Sequence, residues 1–271
     1  MSPKIVLVTG CSAGGIGFEL YVSLVSRIAR ICEAFAQQGC RVYATARKVE
    51  KMAGFKHEDI QLLALDVNSD TSVQEVISAV IGREGKIDIV VNNAGIAAHG
   101  PTLEVPFEIV RDAFETNVYA VLRVARAAVP HMAARKQGLL VTIGSIAGDI
   151  PLPWGGIYAA SKAAAHLMTE ILSMECRPFN IDVMLVSPGG VKSNMPENSL
   201  YKDYVEAMMN RLNTGQDGGW ATNVFAERVV AKALSAKPPS YFTLGKHAMA
   251  FAFYKWLPRS WVLYSMWKRF T

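Results

Sequence analysis

Ile5-Val6-Leu7-Val8-Thr9-Gly10-Cys11-Ser12-Ala13-Gly14-Gly15-Ile16-Gly17 is the stretch that decides the fold. Its first four residues are apolar without alternation, as in a strand buried on both faces. A glycine-crowded turn follows and leads into a helical pattern. Strand, turn and helix start in that order make a phosphate-binding corner. Glycines admit the backbone to a pyrophosphate, and free N–H groups at the helix start favour its charge. An ordinary strand-to-helix turn has the same glycine spacing, so the reading takes its weight from what lies downstream.

Downstream, strands and helices alternate. The helical pattern after the turn runs to Gln38 and is closed by Gly39 as a C-cap. Strands are predicted at 41–46, 60–65, 87–91, 138–143, 182–186 and 241–244. Helices are predicted from a Ser69 cap to Arg83, over 107–135 with a break near Asn117, and over 155–177 and 222–236. Residues 192–220 are polar and weakly periodic and read as a lid. This alternation predicts an α/β chain with one mostly parallel sheet of about seven strands, wound with helices on both faces. No linker divides it, so residues 1–245 are expected to form one domain and 246–271 a C-terminal segment. In such sheets ligands bind beyond the C-terminal strand ends, which is where the glycine-rich and polar stretches fall.

Composition narrows the setting. The chain is 51% hydrophobic and 19% charged, as globular proteins are. Its four cysteines, Cys11, Cys32, Cys40 and Cys176, have neither paired nor CxxC spacing, against a disulfide framework or a zinc site. Reduced thiols suit the cytoplasm, and Met1 to Lys4 run straight into the first strand, leaving no room for a signal peptide. The net charge of +5 is asymmetric: no acidic residue follows Glu227, whereas eight basic ones do. Nucleic acid is not the expected partner, because these charges are interleaved with Phe251, Phe253, Tyr254, Trp256, Trp261, Tyr264, Trp267 and Phe270. Lys255, Pro258 and Arg259 interrupt any span, so two short helices lying at a membrane surface are expected. A substrate lid or a dimer contact, and with it a homo-oligomer, is the alternative. The membrane reading places the protein peripherally on endoplasmic reticulum or a lipid droplet.

The chemistry is read from one helix and its neighbours. Tyr158 and Lys162 stand four apart, hence on one face. A tyrosine hydroxyl titrates near ~10, and an ammonium beside it stabilises the phenolate and makes it a usable acid–base group. Tyr264 and Lys268 have the same spacing without supporting context and read as a surface pair. Ser145 ends a buried strand, where its hydroxyl can hold a substrate oxygen. Asn117 sits inside a helix, where asparagine fits poorly, and is suited to anchor water or the lysine.

Taken together, Thr9-Gly10, Gly15-Ile16-Gly17, Asn92-Asn93-Ala94-Gly95, Ser145, Tyr158-Ala159-Ala160-Ser161-Lys162 and Pro188-Gly189 resemble the classical short-chain dehydrogenase/reductase family in order and spacing, over about residues 4 to 245. The resemblance implies a single doubly wound Rossmann domain and a catalytic tetrad of Asn117, Ser145, Tyr158 and Lys162. It also implies cofactor contacts at Gly10, Ser12, Gly15, Ile16, Gly17, Asp66, Asn93, Tyr158, Lys162, Val191 and Ser193, with no metal. Two departures stand out. Four residues rather than three separate Gly10 from Gly15, a variant that resembles fungal 1-acyldihydroxyacetone phosphate reductases and related fungal pathway reductases. Gly39 also lies 22 residues after Gly17 instead of about a dozen; removing 21–31 would restore the family's length. Eleven residues add three helical turns plus about 20°. The excess therefore either lengthens the first helix without rotating its buried face, or bulges as a loop with the ordinary helix resuming at Cys32.

Cofactor choice follows from the end of the second strand. Enzymes that take NAD place a carboxylate there for the ribose hydroxyls, whereas this chain has Arg47-Lys48, suited to a 2′-phosphate. NADP(H) is therefore the expected cofactor, with Arg47 as its discriminating contact and reduction of a ketone, rather than oxidation of an alcohol, as the expected direction. The apolar stretches 150–154 and 195–196 predict an apolar small-molecule ketone or alcohol as substrate: a lipid, a terpenoid or a polyketide. The alternative is a non-catalytic nucleotide- or partner-binding member, compromised by the extra residues 21–31.

Overall fold

The computed structural model describes residues 2–12, 22–52, 55–188, 204, 221–245 and 248–270. Its strands are β1 (Ile5–Val8), β2 (Arg41–Ala46), β3 (Ile60–Ala64), β4 (Ile89–Asn92), β5 (Gly138–Ile143), β6 (Ile181–Pro188) and β7 (Tyr241–Leu244). All pair in parallel in one sheet of order β3-β2-β1-β4-β5-β6-β7. The chain builds outward from β1 to β3, then returns to lay β4 on the other side of β1. Such a reversal leaves a crevice beyond the ends of the two strands, since the following segments diverge to opposite faces. This is the doubly wound α/β fold expected from the sequence.

The helices are α1 (Val22–Gln37), α2 (Asp70–Glu84), α3 (Phe107–Phe114), α4 (Ala120–Arg135), α5 (Gly156–Glu175), α6 (Thr222–Ala233), α7 (Ala248–Tyr254) and α8 (Arg259–Phe270). The lack of alternation in β1 has a direct cause. Val6 and Val8 pack with Phe35 of α1 and Phe225 and Val229 of α6 on one face of the sheet. Ile5 and Leu7 pack with Val73 and Ile77 of α2 and Val124 and Met132 of α4 on the other. Residues of both parities are therefore withdrawn from water. Truncating a buried side chain such as Phe35 would cost about 3–5 kcal/mol. Ser69 caps α2 as expected, its hydroxyl accepting the Ser72 amide at 3.2 Å, and Gly85 ends that helix in the left-handed region.

Two expected irregularities take definite form. The break near Asn117 is a π turn, Glu115–Tyr119, set between α3 and α4. One wide turn inside a helix exposes backbone and re-aims the side chain it carries. The excess residues near the N-terminus lie mostly in α1, which runs unbroken for 16 residues, about 24 Å, with no restart at Cys32. Ile31 and Cys32 are fully buried on its inner face. Residues 13–21, with Gly15, Ile16 and Gly17, lie outside the described residues.

The C-terminal segment folds back on the domain. Ala248 and Phe251 of α7 and Val262 and Met266 of α8 pack with Ile146 and Ile150, in the loop after β5. Ile150 was expected to face the substrate; it is instead sealed beneath this segment at 0% exposure. The outer side of the segment keeps Phe253, Trp256, Trp261 and Tyr264 exposed. Among the described residues no helix is long and apolar enough to cross a membrane. The expected lid, with Ser193, Met195 and Pro196, lies outside the described residues apart from Tyr204, and so does Val191.

Candidate active site

At the carboxyl ends of β1 and β4 the turns are stitched together by short polar side chains. The Thr9 hydroxyl accepts the backbone N–H groups of Asn93 and Ala94, each at 3.1 Å. In return the Asn93 amide donates to the carbonyls of Thr9 at 2.9 Å and Gly10 at 3.2 Å. Gly10 is at φ +75°, and a Cβ there would lie 2.5 Å from the Ala94 Cα. Its glycine requirement thus comes from the close approach of the β4 turn. Cys11 N–H donates to the Thr45 carbonyl at 2.8 Å, and Ser12 follows it, half-buried. Arg47 and Lys48 are exposed just past β2, and neither has an ion-pair partner among the described residues. The Asp66 carboxylate, past β3, accepts the backbone N–H of Asn68 at 3.0 Å.

A second group forms where β4, β5, the π turn and α5 meet. Lys162 is buried on α5, and its ammonium donates to the Ile143 carbonyl at 2.9 Å. It stands 6.0 Å from the ring centre of Tyr158, one helical turn earlier and half-buried. Gly95 lies against the same point: a Cβ there would be 3.0 Å from Asn117 Oδ1 and 3.6 Å from Lys162 Nζ. Asn117 was expected to anchor water or the lysine. Its side chain accepts Ile96 N–H at 2.8 Å and donates to the Ile96 carbonyl at 3.0 Å and the Ser161 hydroxyl at 2.9 Å. It thereby ties the turn after β4 to α5 at Ser161, three residues after Tyr158. Ser145 is buried just beyond β5, and its oxygen accepts the Ala147 amide at 3.2 Å. That bond leaves the hydroxyl proton of Ser145 to donate elsewhere.

The structure therefore brings Asn117, Ser145, Tyr158 and Lys162 to one edge of the sheet. Gly10, Ser12, Arg47, Asp66 and Asn93 lie at the carboxyl ends of β1 to β4 on the same edge. Gly15, Ile16, Gly17, Val191 and Ser193 are outside the described residues. Two residues near the cluster were not singled out from sequence. His166 and Asp149 lie directly behind Ser145, the imidazole accepting Ser145 N–H at 3.1 Å. Extending the Tyr158 and Lys162 spacing by one more turn would have found His166. Trp154 sits at φ 66°, an uncommon conformation for a bulky residue. Its ring lies 5.7 Å from both Tyr204 and Trp267, joining the approach to α5 to the C-terminal segment.

Comparisons with known proteins give a consistent context. A family model described as short chain dehydrogenase matches residues 4–203. An NADPH-dependent 1-acyldihydroxyacetone phosphate reductase of Schizosaccharomyces pombe is 33% identical over 224 residues, covering 78% of this chain and 72% of the relative. A crystal structure of a short-chain dehydrogenase from Streptomyces avermitilis superposes with TM-score 0.79 at 28% identity, over 98% of this chain and 93% of that one. A metagenomic short-chain oxidoreductase in complex with NADP does so with TM-score 0.69 at 25% identity, over 90% and 96%.

Burial lowers the pKa of the Lys162 ammonium to about 8. An unfolded lysine titrates near ~10.4, so the folded chain binds this proton less tightly than the unfolded one. The charge therefore costs stability below pH 8, and that cost fades as pH rises toward the unfolded value. At neutral pH it amounts to ~3 kcal/mol, less ~1 kcal/mol for the hydrogen bond to Ile143. Lys162→Met should accordingly raise the melting temperature at pH 7, with the gain shrinking by pH 10. Calorimetry at both pH values checks this; a lower melting temperature at pH 7 would contradict the assignment.

Proposed function

The chain belongs to the short-chain dehydrogenase family, and from that membership we propose that it is an NADPH-dependent reductase of a ketone on an apolar or lipid-like molecule. The observation that carries this reading is the convergence of Tyr158, Lys162 and Ser145 at the strand ends next to the crevice between β1 and β4. NADP(H) suits the residues present. Two exposed cations stand at the end of β2, where a carboxylate would be needed for an unphosphorylated ribose. Arg47 would hold the 2′-phosphate; Gly10, Ser12, Asp66 and Asn93 would line the remainder, together with Gly15, Ile16, Gly17, Val191 and Ser193. Bound there, the cofactor supplies a hydride to the carbonyl carbon.

The chain's own groups then handle the oxygen. Ser145 donates its free hydroxyl proton as a hydrogen bond to the carbonyl oxygen and fixes its position. Tyr158 gives up its phenolic proton to that oxygen as negative charge develops on it. The Lys162 ammonium makes the resulting phenolate cheaper, and more so in a site with little water than in solvent. Asn117 keeps the turn after β4 and the start of α5 in register and makes no direct contact with the ammonium among the bonds described. The reverse sequence oxidises an alcohol by the same groups.

The relative acting on 1-acyldihydroxyacetone phosphate is consistent with a lipid-like ketone. So is the outer side of α7 and α8, where Phe253, Trp256, Trp261 and Tyr264 stand exposed beside Arg259, Lys268 and Arg269. Aromatic rings and cations on one surface suit a headgroup layer, and this side is the proposed membrane contact. Residue by residue, Lys255 is withdrawn from that role, because it points inward to Asp149.

Two measurements test the proposal. The whole chain should oxidise NADPH with an apolar ketone at least tenfold more efficiently than NADH, and Arg47→Asp should collapse that preference. Equal kcat/KM for the two cofactors in the unmutated chain would remove Arg47 from its role. Trp256→Ser combined with Phe253→Ser should reduce flotation with anionic liposomes while leaving the melting temperature within a few degrees. Unchanged flotation would end the membrane reading.

A further inference from the structure

Behind Ser145 lies a polar arrangement that the proton transfer does not use. Asp149 has a side chain only 7% exposed, yet its carboxylate meets donors from four parts of the chain. Oδ1 accepts from His166 Nδ1 at 3.1 Å and pairs with the Lys255 ammonium at 2.6 Å. Oδ2 accepts from Ser187 Oγ at 2.8 Å and from the Tyr241 hydroxyl. These donors belong to α5, β6, β7 and the turn after α7. Burial by itself would raise the Asp149 pKa; the bonds from His166, Lys255 and Tyr241 outweigh it and hold the carboxyl well below the usual carboxylate range. An anion this well partnered is a fixed point.

The imidazole passes that fixity to the active-site turn. With Nδ1–H donating to Asp149, the His166 Nε2 carries a lone pair, and that lone pair accepts Ser145 N–H at 3.1 Å. The loop is shaped to admit the ring. A Cβ at Gly144 would lie 2.2 Å from His166 Nε2, and one at Gly148 would lie 3.0 Å from His166 Cε1. Lys255 brings in the C-terminal segment: its ammonium donates to the Tyr241 hydroxyl at 2.9 Å and stands 4.5 Å from that ring's centre. The same segment seals Ile146 and Ile150, which flank Asp149 along the chain.

We propose that His166 and Asp149 are positioning residues for Ser145, and that Lys255 makes seating of the C-terminal segment a condition for a correctly held Ser145. The path runs Lys255, Asp149, His166, Ser145 N–H, each link a hydrogen bond or ion pair between buried or half-buried groups. The segment that carries the exposed aromatic side is thereby coupled to the residue that fixes the substrate oxygen. Only the kinetic part of this proposal rests on the reductase reading.

The test compares the full chain with Lys255→Met and Lys255→Arg by amide hydrogen exchange and by kinetics. Lys255 is the chosen site because its side chain is 34% exposed, so its substitution spares the core. Lys255→Met should speed exchange over residues 144–150 about tenfold, the population effect of weakening about one hydrogen bond. With a ketone that the unmutated chain reduces, kcat should fall by a similar factor while KM for NADPH stays within about twofold. Lys255→Arg keeps the charge and the donors and should restore most of both. His166→Ala should reproduce the exchange effect at 144–150 with little change in α7. Faster exchange confined to 248–258 in Lys255→Met would overturn the proposal, as would an unchanged kcat. Faster exchange at 144–150 in a chain that reduces no ketone would leave the coupling standing and remove the reductase reading instead.

Discussion

An ammonium held out of water is the demand around which the functional edge is built. Lys162 is buried with the Ile143 carbonyl as its hydrogen-bond acceptor, an expensive placement that folding alone does not require. Much nearby follows from keeping it there. Gly95 lacks a side chain where one would crowd both the ammonium and Asn117. Asn117 occupies a π turn, so its amide can satisfy both backbone groups of Ile96 and reach Ser161 on the adjacent helix. Tyr158 is then held one turn away, within electrostatic reach of the charge. A group with a depressed pKa in a crevice, flanked by a proton donor, is what acid–base work at neutral pH needs.

The rest of the edge serves the same end by removing freedom from turns that would otherwise move. The side chains of Thr9 and Asn93 make four bonds between the turns after β1 and β4, so the two sides of the crevice keep a set separation. On the far side of Ser145, Asp149 gathers donors from α5, β6, β7 and the C-terminal segment. A reacting geometry is sensitive to displacements of an ångström, and a loop residue such as Ser145 gains rigidity only from partners behind it. The fold supplies them from elements distant in sequence.

That distance explains what could be read beforehand and what could not. β1 was legible because burial on both faces leaves a run of apolar residues, and Tyr158 and Lys162 because helical spacing puts them on one face. Asn117 was legible as a misfit in a helix, though its partners were not: they depend on where the turn after β4 comes to rest. Ile150 read as substrate-facing because it is apolar and lies after Ser145. Its burial comes from Phe251, Val262 and Met266, whose docking leaves no local pattern. Lys255 read as one more cation on an aromatic tail for the same reason; only the fold reveals the carboxylate that turns it inward. Most of α1 was present as excess length, and the structure resolves it into an unbroken helix from Val22 to Gln37.

The central claim is that the Tyr158 hydroxyl moves the proton while the remainder of its ring merely packs. It is tested most directly in Tyr158→Phe, which deletes one oxygen, by measuring NADPH binding through tryptophan quenching alongside ketone-dependent NADPH oxidation. The account predicts a dissociation constant within about threefold of the unmutated chain and a kcat reduced at least a hundredfold, the scale of lost general-acid catalysis. Substantial turnover in the variant, with binding intact, would contradict it.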